Sequence, residues 1–159
     1  MTLRNGLFGL GLAIVLVSVP QISLPGESGL ITKPSKYSVQ ETIKRFEGAV
    51  TAKGWVVFTE VDHAAAAAKF GLELRPRTVV VFGNPKIGTP AMQKAPTLAI
   101  DVPAKALVWQ DDQGKVWLTY NSAEYLGGYI YPRHGLTMPA DVRQTVERTC
   151  GEFSDQGTQ

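Results

Sequence analysis

Thr78 to Phe82 reads TVVVF and runs straight into Gly83-Asn84-Pro85. A β-branched run of this length, stopped by Gly and Pro, is a strand. Its lack of polar alternation predicts burial on both faces, and hence a central place in a sheet. The rest of the chain must therefore supply neighbouring strands and at least one apolar layer to cover them.

The flanking sequence supplies both. Gly29 to Thr32 is a candidate strand that Lys33-Pro34 should break. Ser38-Val39-Gln40-Glu41 has capping-box spacing, and Val39, Ile43, Phe46 and Val50 recur with helical period before Gly54. Trp55 to Val61 is a strand. Asp62 is placed to cap a helix from His63 to Phe70, which Gly71 ends. A short helix is expected from Pro90 behind Thr89. Strands at Ala106 to Trp109 and Val116 to Tyr120 flank the hairpin turn Asp111-Asp112-Gln113-Gly114. Ser122 to Leu126 can start a helix, and Pro139 starts the last one, with Met138, Val142 and Val146 on one side. The order β-α-β-α-β-α-β-β-α predicts the α+β class. The expected form is a single compact domain with a mixed, partly antiparallel sheet covered mainly on one face by helices.

The N-terminus bears on compartment. Arg4 precedes Leu7 to Val19, an uncharged stretch of signal-peptide length. No small-x-small pair follows it, so cleavage and retention as an anchor both stay open for residues 1–24. Either outcome predicts a periplasmic or otherwise extracytoplasmic domain, soluble or held at the inner membrane. Residues 25–29 read as a linker.

Charge and cysteine usage exclude several functions. The net charge is +2, and no basic face with interleaved aromatics is legible, which argues against nucleic acid. Cys150 is the one cysteine, so no intrachain disulfide forms. With two histidines beside it, zinc sites of four cysteines, or of two cysteines and two histidines, are excluded within one chain. No C-x-x-C-H exists for covalent haem attachment.

The segments GWVVFTEVDHAAAAAKFGLELRP, TVVVFGNPKIGTPAMQ, APTLAIDVPAKALVWQDDQGKVWLTYN and PRHGL closely resemble the DUF302 family, a bacterial domain of unknown function. The resemblance covers residues 30–136, leaving 137–159 as a C-terminal helix and tail. It implies a compact α+β unit that is often a homodimer. The family's Asp-His pair falls on Asp62 and His63. Ala104 stands where relatives commonly have Leu, and Gly127 to Pro132 replaces a short Ala/Arg-rich helix.

Candidate ligand-binding residues are His63, Asn84, Lys86, Thr89 and Asp101. His63 sits at a helix N-terminus, where an anion or a metal is chemically allowed. Gly83 to Thr89 follows a buried strand, and its glycine N–H groups with Lys86 and Thr89 could serve a carboxylate or phosphate, although Walker A spacing is absent. Asp101 before Val102-Pro103 is either a pocket carboxylate or a turn residue. Tyr125, Tyr129 and Tyr131 either line a pocket or close the core edge. No Ser-His-Asp pattern is legible.

The reading is an extracytoplasmic ligand- or partner-binding module, non-catalytic, whose partner is a small anionic ligand or a protein. The alternatives are a haem- or metal-binding redox-linked protein, with His63, His134, Met92 and Cys150 as candidate ligands, and a small hydrolase-like enzyme.

Overall fold

The computed structural model describes residues 29–159. The expected leader and most of the linker lie outside the described residues. Strands β1 (Leu30–Ser35), β2 (Val56–Asp62), β3 (Arg77–Gly83), β4 (Ala104–Gln110) and β5 (Val116–Asn121) form one sheet in the order β1-β5-β4-β3-β2. Helix α1 (Val39–Ala52) joins the two edge strands, and α2 (His63–Ala68) joins β2 to β3. Helix α3 (Pro85–Lys94) and a 3-10 turn (Pro96–Ile100) join β3 to β4. After β5 come a short α4 (Ala123–Tyr125), a π turn (Leu126–Ile130), a short α5 (Tyr131–Arg133) and the long α6 (Ala140–Thr158). The α+β class and the single domain stand as expected.

The mixed sheet does not: every pairing is antiparallel. Helix length explains why. A crossover must return the chain along the full strand, and α2 has six residues, about 9 Å against about 23 Å for the seven of β3. So α2 and α3 serve as elaborated hairpin connections, and α1 alone crosses from one edge to the other.

Two further expectations change in detail. β1 continues through Lys33-Pro34 because it is an edge strand, where a residue without an N–H removes nothing from an inner ladder. β3 is central, but it is buried on one side: Thr78, Val80 and Phe82 face the helices, whereas Val79 and Val81 are half-buried opposite. α1 and α6 both lie on the Val80 side, so the helices cover one face, as expected. Leu107, Trp109 and Trp117 share the other face with Val79 and Val81, and the two indoles stack with centroids 6.1 Å apart.

The main core lies between that covered face and the two long helices. Phe46 of α1, Trp55, Phe82 of β3 and Phe153 of α6 meet mostly edge to face, with centroids 5.0 to 6.3 Å apart. α6 approaches α1 closely at Gly157, where a Cβ would lie 3.2 Å from the Phe46 Cβ. The C-terminal helix is thus a layer of the domain. A second, smaller cluster of Leu98, Ile130, Tyr131 and Met138 sits beyond one end of the sheet, under α3 and the π turn.

Candidate functional site

Where the two clusters meet, packing is incomplete. A partly open cavity of about 130 Å³ remains there. The main core contributes Trp55, Phe82, Val146 and Cys150 to its wall, and the smaller cluster contributes Met92, Val102, Leu126, Tyr131 and Met138. Phe58 adds an aromatic edge. It occupies the register shift between Val57 and Thr59, a bulge that re-aims its side chain out of the alternation. At Gly83 a Cβ would meet the Pro103 Cβ at 3.2 Å and the Phe58 ring at 3.7 Å, so the absent side chain lets β3 end close against both.

Polar groups on this wall are few, and each has a traceable origin. Asn84 caps α3: its Oδ1 accepts from the Lys86 N–H at 3.0 Å. The expected loop over Gly83 to Thr89 is therefore a strand end, a cap and a helix that begins at Pro85 rather than Pro90. The Ile87 and Gly88 N–H groups bond the Asn84 carbonyl as the first helical turn requires. Lys86 and Thr89 stand exposed on that helix and do not line the cavity.

Asp101 does line it, and is held from behind. Its Oδ2 accepts from His134 Nε2 at 2.6 Å, and Arg133 Nη1 lies 3.6 Å away. An ionised carboxylate has only acceptor oxygens, so the Nε2 proton resides on the ring. The other ring nitrogen, Nδ1, pairs with Thr97 Oγ1 at 2.9 Å. The His134 side chain is only 6% exposed, which fixes its orientation. Lys105 Nζ donates to the Asp101 and Pro103 carbonyls at 3.0 and 3.1 Å, fastening the turn that presents the carboxylate. The His134 hydrogen bond, with Arg133 nearby, holds the Asp101 carboxyl below its usual range. Asp101 is thus an ionised acceptor on an apolar wall, and its Oδ1 has no hydrogen-bond partner among the described residues.

Thr97, His134 and Asp101 have the residue types of a hydroxyl–imidazole–carboxylate relay. Thr97, however, is exposed and does not line the cavity. The member of the chain that lines the cavity is the carboxylate, and the imidazole holds it from behind.

The remaining candidates are scattered. His63 lies exposed at the start of α2, at the opposite end of the sheet from the cavity, and Asp62 caps that helix by accepting from the Ala65 N–H at 2.9 Å. Among the candidate haem ligands, Met92 and Cys150 reach the cavity, and His63 does not. Burial pushes the Cys150 thiol up to about 12, so a thiolate ligand there is disfavoured. Among the described residues no three His, Cys, Asp or Glu side chains cluster as a metal site. Tyr131 is core and lines the cavity, whereas Tyr129 is exposed and stacks on Tyr125 at 5.4 Å. Sequence reasoning missed Thr97, and it named Asp101 and His134 without joining them. No local signal connects residues 33 apart.

An open antiparallel sheet with one helical face and a small apolar cavity beyond its strand ends defines a compact α+β domain. The chain belongs to the family described as "Domain of unknown function DUF302", whose pattern matches residues 31–153. A solved uncharacterized DUF302 protein from Bacillus stearothermophilus superposes with a TM-score of 0.66 over 80% of this chain and 97% of that one; at 17% identity this likeness shows the fold alone. Two relatives from Brucella suis biovar 1 and Brucella abortus biovar 1, both named Fluoride-specific ion channel FluC 1, are 42% identical over 135 residues. Those residues are 85% of this chain and 52% and 48% of the two relatives, so the chain spans about half the length of the relatives it matches.

Proposed function

We propose that the domain is an extracytoplasmic, non-catalytic binding module whose cavity takes a small molecule with an apolar body and one hydrogen-bond donor. The observation that carries this is the wall itself: about 130 Å³ enclosed mainly by aromatic, aliphatic and sulfur-bearing side chains, with Asp101 as a positioned carboxylate. An engineered apolar cavity of about 150 Å³ accepts benzene, which sets the size of the group that fits. An ionised acceptor favours a hydroxyl, amide or ammonium over the small anion that the sequence suggested. A tetrapyrrole is far larger than this space, so the haem reading draws no support from the cavity.

Thermal unfolding with benzyl alcohol, benzylamine and benzoate tests the reading. At about ten times the dissociation constant, a bound probe adds about 1.4 kcal/mol, or about 3–6 °C. Benzyl alcohol and benzylamine should raise the midpoint, and benzoate should not. Ala104→Leu, which points three carbons from β4 into the cavity, should abolish the shift. A benzoate effect equal to the others, or no effect of any probe at millimolar concentration, overturns it.

A second reading has the module serving a membrane channel, favoured by the names of the Brucella relatives. Fluoride itself is a poor match to an apolar wall bearing a carboxylate. Broadening of the fluoride 19F resonance by the protein at millimolar sodium fluoride would decide in its favour. The same module is proposed to be a homodimer joined through the uncovered face around Trp109 and Trp117. Sedimentation of wild type against Trp117→Lys checks this: a monomeric wild type, or a variant that is still dimeric, removes that interface.

A further inference from the structure

The chain enters this fold at the cavity end. Leu30 pairs with Asn121, the last residue of β5, and Asn121, Ala104 and Gly83 all border the cavity. Gly29 lies against the Tyr125–Tyr129 stack: a Cβ there would come within 2.6 Å of Tyr125. The same end carries large apolar side chains in solvent. Ile100 is 79% exposed, Tyr129 60%, Phe58 51% and Leu30 46%. Lys86 and Lys105 are exposed beside them.

The candidate anchor, residues 1–24, ends six residues before Leu30. Six residues span at most about 20 Å fully extended. If residues 1–24 are retained as an anchor in a bilayer, a linker of that reach tethers this end rather than the opposite one at the headgroup boundary. Exposed aromatic and aliphatic side chains with flanking lysines have the composition of interfacial contacts. Phe70, Leu72 and Leu74 are also exposed, but they lie beyond the far ends of β2 and β3, a strand length of about 23 Å further from the entry point.

We propose that the cavity end of this domain lies on a lipid bilayer, with Ile100, Tyr129, Phe58 and Leu30 at the headgroup boundary. The cavity then opens beside the membrane, where amphiphilic molecules are concentrated. The proposal stands on the rim and the point of chain entry, whatever occupies the cavity.

The test uses the full chain reconstituted with vesicles of phosphatidylcholine and phosphatidylglycerol. Ile100→Cys and Tyr129→Cys place a polarity-sensitive dye on the rim, and Phe70→Cys and Gln113→Cys place it at the far end. All four positions are exposed and Cys150 is buried, so labelling is selective and the fold is preserved. The rim dyes should shift to the blue and be quenched by brominated lipid several-fold more than the far-end dyes. Equal quenching at both ends, stronger quenching at Phe70, or failure of the chain to associate with vesicles overturns the proposal.

Discussion

Replacing Phe153 by alanine tests whether the last helix belongs to the core. The side chain is wholly buried, and its ring meets Phe46, Trp55 and Phe82 at centroid distances of 6.2, 5.4 and 6.1 Å, each close to edge-on. Truncating a buried Phe costs about 3–5 kcal/mol, and each ring pair is worth about 0.5–1.5 kcal/mol beyond area. Three pairs place this site toward the upper end, at about 4 kcal/mol. A domain of this size holds about 5–15 kcal/mol in total, so the variant is folded but marginal. With a urea slope of about 2 kcal/mol/M, the unfolding midpoint should fall by about 2 M at unchanged slope. Phe153→Leu keeps most of the volume and loses the three ring pairs, so it should cost at least about 1.5 kcal/mol and less than the alanine variant. Urea titration followed by tryptophan fluorescence reads both, because Trp55 touches the ring. A loss below about 1 kcal/mol for the alanine variant would refute the reasoning, because a helix whose largest buried side chain is dispensable is an appendage and not a layer.

Other consequences are simpler to state. Asp101 is held ionised below its usual range by His134, so what this carboxyl contributes to stability is present above the ordinary carboxylate range and lost as pH falls through its lowered value. The urea midpoint of Asp101→Asn should therefore trail wild type at pH 7 and converge with it near pH 3; a gap that is constant with pH contradicts this. Glu47 is shifted the other way, upward, by partial burial and by Glu60 across the α1–β2 contact. Stability from that pair fades as pH rises through the carboxylate range, so Glu47→Gln should raise the midpoint at pH 7 and leave it nearly unchanged at pH 4. Cys150 is 4% exposed with its thiol pushed to about 12, so a disulfide reagent should react with unfolded protein in minutes and with native protein only at the rate of opening. Stoichiometric reaction in the native state would show that α6 opens locally.

Short-range chemistry was readable, and long-range geometry was not. Ser38 and Asp62 cap their helices as their spacing implied, because a cap is written within four residues. The start of α3 was misplaced because two prolines follow residues able to cap, and Pro85 behind Asn84 prevailed over Pro90 behind Thr89. Asn is the better N-cap of the two, a small local preference that agrees with the start at Pro85. The direction of β4 relative to β3 depends on whether a helix spans the sheet or turns at its end, which the strand–helix order leaves undecided.

That undecided point is what generates the site. A helix that crosses a sheet buries its apolar stripe on the sheet face, as α1 does with Phe46 and Val50. A helix that only reverses the chain has no face to lie on. α3 and the 3-10 turn therefore project past the strand ends and must find apolar partners elsewhere, in Tyr131, Ile130 and Met138 from the segment after β5. Two cores result, packed by different elements, and residues such as Val102, Leu126 and Tyr131 must serve the seam between them. Neither core dictates the volume of that seam, so it stays partly empty, and the turn that leads back into β4 sets Asp101 on its wall. The same antiparallel topology that defeated the expectation of a mixed sheet thus accounts for both the existence of the cavity and its position at the end of the sheet where the chain enters.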